Sequence, residues 1–219
     1  MEIIKSFVDL FVHLDHHMAE MVAQYGQWVY GIVFLIIFSE TGFVVTPFLP
    51  GDSLLFVLGA LAAQGSLNLG LLLLLTSAAA VLGNMTNYQI GRMLAPRMFN
   101  NENIPFLKKE YLDKTHQYFE KYGAKTIIIT RFVPIVRTFA PFLAGVGNMP
   151  YGEFSLFNIV GGIFWVLVGA LSGYFFGNLP FVSKHFSLVV LAIVVISLIP
   201  AVWEFLKLRK SEIPAKPNT

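Results

Sequence analysis

Four charged side chains stand where an apolar sequence would not be expected to carry them. Glu40 and Asp52 bracket the stretch ETGFVVTPFLPGD, and Arg131 and Arg137 stand in TIIITRFVPIVRTFAPFLAGVGNMP, residues 126–150. A carboxylate or guanidinium in mid-bilayer costs roughly 2.5–3.5 kcal/mol on insertion scales, so such groups are kept where they meet one another, water or a charged substrate. Arginine stays protonated and its planar fork grips a phosphate at two points, while helix ends opened by proline turn backbone N–H groups toward an anion. A carboxylate whose surroundings alternate between water, arginine and apolar protein takes up and releases protons. The chemistry expected of the set is anion binding by Arg131 and Arg137, with proton coupling at Glu40 and Asp52. Charge pairs that merely tie two hairpins together are the alternative use of the same groups.

The elements that must position them are read from composition. Of 219 residues, 56% are hydrophobic and only 13% charged, about half the charge of an ordinary soluble domain. No charge occurs from Ser53 to Gly91, from Phe154 to Ser183, or from His185 to Trp203, and several windows exceed the roughly 20 residues that cross hydrocarbon. They lack the alternation of a membrane strand, so spanning helices are expected. There is no cysteine, which removes disulfides, thiolate metal sites and cysteine nucleophiles together. The start reads as uncleaved, because acids and histidines stand where a signal peptide carries a basic head.

Organisation follows from punctuation and charge. Residues 1–25 form an amphipathic helix too charged to span, with His13, His17 and Glu20 on its polar face; that face reads as solvated, and no metal site is assigned. Residues 26–92 form a first half, in which Pro47 and Pro50 break an apolar run and Leu67 to Gly91 makes a full span ending at Arg92. Residues 93–125 are a polar linker carrying a second amphipathic helix with Tyr111, Tyr118 and Tyr122. Residues 126–206 form a second half, broken by Pro134 and Pro141, and 207–219 a basic tail. Seven of the fifteen Lys and Arg fall between Arg92 and Lys125 and four in the tail, which places linker and C-terminus in the cytoplasm.

The halves resemble each other. Tyr25-Gly26 and Tyr122-Gly123 precede the broken segments, PFLPG at 47–51 answers PFLAG at 141–145, and G-x4-Y-x2-G closes each half at Gly83, Tyr88, Gly91 and at Gly169, Tyr174, Gly177. Broken segments at matching places in an internal repeat point to a binding site between them. The fold expected is an all-α polytopic membrane protein, an inverted repeat with two opposed re-entrant helical hairpins, spanning helices and the N-terminal amphipathic helix. Tyr88 and Tyr174 are expected to pack helices beside their glycines.

With E-T-G, P-F-L-P-G-D and R-F-V-P-I-V-R-T-F-A-P-F in view, nearly the whole chain resembles the DedA family of bacterial inner-membrane proteins. The resemblance implies two opposed re-entrant helices and a carrier of lipid phosphates, undecaprenyl phosphate foremost, in the multi-pass inner membrane. It further implies proton dependence, with Glu40 and Asp52 as the family's acids and Arg131 and Arg137 as its arginines. Where relatives often have Gly-Asp this chain has Gly83-Asn84, so Asn84 offers a hydrogen bond and no proton. Asn84, Pro47, Pro134 and Pro141 are accessory candidates. The expected partners are the lipid-linked phosphate, membrane lipids and protons, with a homo-oligomer left open, and no nucleic acid and no cofactor are expected. The rival functions are a phospholipid scramblase, a proton-coupled small-ion antiporter, a lipid phosphatase and an envelope scaffold. Thr130 and Thr138 have no histidine in their stretch to serve the phosphatase.

Overall fold

The computed structural model describes residues 24–43, 51–100, 125–132 and 134–177, with a few single positions beside them. Six helices follow in order: α1 Trp28–Gly42, α2 Gly51–Ala63, α3 Leu69–Asn100, α4 Thr126–Thr130, α5 Pro134–Val146 and α6 Tyr151–Phe176. No strand occurs among the described residues. Most of the N-terminal helix, Pro47, Pro50, most of the linker and the return segment 185–205 lie outside the described residues.

Length separates the helices into two kinds. The apolar parts of α3 (Leu69–Pro96) and α6 (Tyr151–Phe176) have 28 and 26 residues. At 1.5 Å per residue that is about 42 and 39 Å, enough to cross a hydrocarbon core of about 30 Å. The 13-residue helices α2 and α5 reach only about 20 Å. The expected first span ended at Arg92; the helix instead continues to Asn100, since nothing in RMLAPRMFN before Pro96 breaks it and even Pro96 is carried within it. Pro134 opens α5, where its missing N–H is not needed. Pro141 was expected to break the segment, yet α5 runs through it. The proline removes a single donor, and the helix continues past it to Val146.

Each short helix packs chiefly on a long helix distant in sequence: α2 on α6, and α5 on α3. Glycines permit the contact. A Cβ on Gly173 would meet the Phe56 carbonyl of α2, and one on Gly59 would meet Ala170 and Tyr174 of α6; a Cβ on Gly91 would meet Phe142 of α5, and one on Gly145 would meet Tyr88 and Arg92 of α3. Against the long helix opposite, Gly59 thus holds the place that Gly145 holds, whereas the sequence likeness had set Gly51 beside Gly145. Both short helices also end alike. Ser66 N–H bonds the Leu61 carbonyl and Met149 N–H the Ala144 carbonyl, with Gly65 (φ +80°) and Asn148 (φ +55°) taking the left-handed turn.

Ends are tied as follows. Tyr30 Oη accepts from Asn68 N–H at 2.7 Å, joining the starts of α1 and α3. Gly177 lies on Ala60, joining the ends of α2 and α6. Tyr88 Oη donates to the Met149 carbonyl at 2.5 Å, joining the later part of α3 to the turn before α6. The long helices therefore run antiparallel. Tyr88, fully buried and stacked on Phe154 at 4.4 Å, has the packing role expected of it.

Large apolar side chains lie on the exterior as well as in the core, and several polar ones are buried. Leu35, Leu74, Leu156 and Phe164 are exposed, while Glu40, Asn84, Asn87, Arg131, Arg137 and Asn158 are buried. Exposed apolar area is costly in water and harmless in lipid, so this exterior suits a bilayer. α2 is buried all round from Ser53 to Ala62, so little of it is left to face either solvent or lipid. Replacing Gly173 with alanine is expected to destabilise the fold by about 1–3 kcal/mol, because the methyl group meets backbone that cannot rotate away. The thermal midpoint in detergent checks this against Gly152→Ala, whose Cβ would meet nothing within 4 Å.

Candidate functional site

The site lies about halfway along the two long helices, where α1 ends, α2 begins, and α4 gives way to α5. Glu40 stands in the last turn of α1 and is wholly buried. A helix C-terminus disfavours a carboxylate, so other groups must hold it. Arg137 Nη2 donates to Glu40 Oε1, and the Gly51 N–H at the start of α2 donates to the same oxygen at 3.3 Å. A Cβ on Gly51 would occupy the space of that carboxylate, so glycine is required where the two helices meet. Asp52, in the first turn of α2, has the favourable helix end.

Arg137 bridges both acids. Its Nη1 donates to Asp52 Oδ1 at 2.9 Å, and its Cζ lies 5.2 Å from the centroid of the Trp165 ring. Trp165 Nε1 donates to the same Asp52 oxygen at 2.8 Å, so the indole orients the acid and covers the cation. Asp52 keeps 31% of its side chain exposed, against 0% for Glu40 and 7% for Arg137.

Arg131 is placed differently. It caps the C-terminus of α4 and is buried, yet no carboxylate holds it among the described residues. Its Nη2 donates to the side-chain and main-chain oxygens of Asn158 on α6, the latter at 3.2 Å. With the Asn84 amide turned to satisfy its surroundings, Asn84 Oδ1 accepts from Arg131 Nη2 at 2.8 Å and its nitrogen donates to the Thr41 carbonyl at 3.3 Å. Asn158 Nδ2 donates to the Val81 carbonyl at 3.0 Å. Arg131 is thus fixed by two neutral amides, one on each long helix.

Thr41, Asn84, Arg131, Arg137 and Trp165 line one cavity of about 10 Å³, space for a single water. The Nε of both arginines and Glu40 Oε2 are buried without a partner. Two acids and two arginines sum to zero formal charge.

Arg137, Glu40 and Asp52 come together as their sequence suggested, and Arg131 opens on the same cavity without touching either acid. Asn84 meets Arg131 through the hydrogen bond given above. Pro134 stands at the start of α5 and Pro141 within it, and Pro47 is outside the described residues. Sequence reasoning missed Asn158, Trp165, Asn87 and Gly51. Asn158 is the single amide between Tyr151 and Phe176, and Trp165 stands two helical turns later on the same face, a detectable signal. Asn87 donates to the Thr41 and Thr138 carbonyls at 3.1 and 2.8 Å, tying α1 and α5 to α3.

The VTT domain family matches residues 49–175. Protein DedA of Escherichia coli (strain K12) is 50% identical over 213 residues, covering 96% of this chain and 97% of that protein. An uncharacterized membrane protein of Mycobacterium tuberculosis (strain ATCC 25618 / H37Rv) is 47% identical over 179 residues, covering 81% and 78%. The inner membrane protein YqjA of Escherichia coli (strain K12) is 35% identical over 157 residues, covering 72% and 71%. No solved structure matches the chain. A near full-length likeness to DedA, helices long enough to span, and charges buried beneath an apolar exterior agree, and the chain belongs to the DedA family of VTT-domain membrane proteins.

Proposed function

We propose that this protein carries a lipid-linked phosphate across the membrane, undecaprenyl phosphate first among candidates, in a proton-coupled cycle. The observation that carries the reading is the pair of arginines opening on one cavity halfway through the helices, one locked by two acids and the other held by neutral amides. Arg131 and Arg137 bind the headgroup, and Glu40 and Asp52 exchange protons. An arginine without a counter-ion in such a place has charge to offer an anion, and its fork suits phosphate. The partnerless Nε atoms supply further donors. With room for one water, the cavity corresponds to a closed state that must open to admit a headgroup.

In this reading α1–α2 and α4–α5 are the two re-entrant hairpins, related as an inverted repeat. Support comes from helices too short to span, from the crossed packing of α2 on α6 and α5 on α3, and from the matching left-handed caps. The basic face near Arg92 and the C-terminal tail are cytoplasmic.

The test is reconstitution in liposomes with labelled undecaprenyl phosphate and a probe that reports headgroups on one leaflet. Exchange that quickens when a proton gradient is imposed is the expected result. Equal movement of phosphatidylethanolamine would favour a scramblase, and release of inorganic phosphate a phosphatase; either would displace the proposal.

A further inference from the structure

The Glu40 carboxylate sits where an anion would be bound. It takes a guanidinium N–H from Arg137 and the first N–H of a 13-residue helix, the donors that a phosphate on this site would use. We infer that Glu40 is a resident competitor of the substrate: in the resting protein its carboxylate fills the anion position, and a phosphate enters only as Glu40 accepts a proton and releases Arg137. This deepens the phosphate reading above and rests on it.

Space and charge lead to this. The cavity beside Arg137 holds about one water, so a phosphate cannot simply be added to the existing set. Both Nη atoms of Arg137 are engaged by carboxylates, so a further anion must displace one. Asp52 is the less suitable to leave, since Trp165 Nε1 also holds it and it keeps contact with the exterior. Glu40 has one oxygen without a partner and no exposed surface, leaving Arg137 as its chief support. Once a phosphate takes Arg137, an ionised Glu40 would be a buried, unpaired charge next to a second anion, and protonation removes that charge. The proton comes from solvent and forms an O–H bond on the Glu40 carboxyl, leaving a neutral acid.

Among the described residues, the charged and titratable groups around Glu40 are Asp52 from α2, Arg137 from α5 and Arg131 at the end of α4. From α3 and α6 the neighbours are Asn84, Asn87 and Trp165, which do not titrate. Glu40 is therefore the acid whose proton the anion controls. Because binding consumes a proton, affinity rises as pH falls. Inorganic phosphate and a phosphate on an isoprenoid tail present the same headgroup chemistry, and the test separates them.

Calorimetry of the full chain in nanodiscs, run in buffers of different ionisation enthalpy near pH 8, where a phosphate monoester is a dianion, counts the protons. The probes are farnesyl phosphate and inorganic phosphate. About one proton taken up per phosphate bound is expected for whichever probe binds; binding of farnesyl phosphate alone makes the lipid headgroup the ligand, and binding of both makes free phosphate a ligand as well. Glu40→Gln is expected to bind at least about tenfold more tightly than the wild type at this pH, having lost a charge-assisted competitor, and to show neither proton uptake nor pH dependence. A cooperative thermal transition of Glu40→Gln in the same nanodiscs guards against a poorly folded variant. Wild-type binding without proton uptake, or Glu40→Gln binding more weakly with its pH dependence intact, overturns the inference while the phosphate reading stands. Failure of both probes to bind the wild type overturns the two together.

Discussion

Arg137→Ala is expected to destabilise the protein by about 3–5 kcal/mol and to abolish transport. The guanidinium bridges Glu40 and Asp52, and no other cation touches either acid among the described residues. Its removal leaves one carboxylate fully buried and another partly so, with Gly51 N–H and Trp165 Nε1 as their remaining donors. These donors stabilise an anion but do not neutralise it. A triple variant with Glu40→Gln and Asp52→Asn added should regain most of the stability, because removing all the charges of a buried set is far milder than removing one side of it. It should still not transport. Thermal or denaturant midpoints in detergent measure the first effect, and headgroup exchange in proteoliposomes the second. Wild-type stability in Arg137→Ala would show that the acids do not depend on the arginine.

Arg131→Lys is expected to slow transport about a hundredfold while unfolding only slightly more readily than the wild type. Lysine keeps the charge, and no carboxylate is orphaned, so the stability term is limited to the hydrogen bonds to Asn84 and Asn158. What is lost is the fork: an ammonium is a compact point charge and cannot hold the two amides and still offer a planar pair of donors to phosphate. Two charge-assisted hydrogen bonds at about 1.5–3 kcal/mol each are enough for that loss of rate. The measurement is initial exchange rate against lipid-phosphate concentration. Full activity of the lysine variant would remove Arg131 from the headgroup site. Opposite profiles are therefore expected for the two arginines, with Arg137 decisive for stability as well as transport and Arg131 for transport alone.

Much of this was legible in the chain. Charge-free runs from Ser53 to Gly91 and from Phe154 to Ser183 announced the spans, and α3 and α6 occupy them. Glu40, Asp52, Arg131 and Arg137 stood out because a charge in apolar sequence is expensive. Helix limits were less legible. Arg92 looked like an end because its charge suits an interface, yet the backbone bonds of a helix are indifferent to that charge and continue to Asn100. Pro141 looked like a break, but the loss of one donor does not end a helix packed along its length on α3, and α5 runs through it.

The amino-acid order by itself determined that the protein is helical, apolar outside and charged at four interior positions, because the cost of exposing a backbone or a charge to lipid depends on residue type and run length alone. Which arginine meets which acid was decided only by the tertiary structure. Arg137 reaches Glu40 and Asp52 across more than eighty residues, while Arg131, six residues earlier, turns instead to amides on α3 and α6. Long-range charge pairing depends on where glycines such as Gly59, Gly91, Gly145 and Gly173 let helices approach, and that closeness is a property of two packed surfaces together.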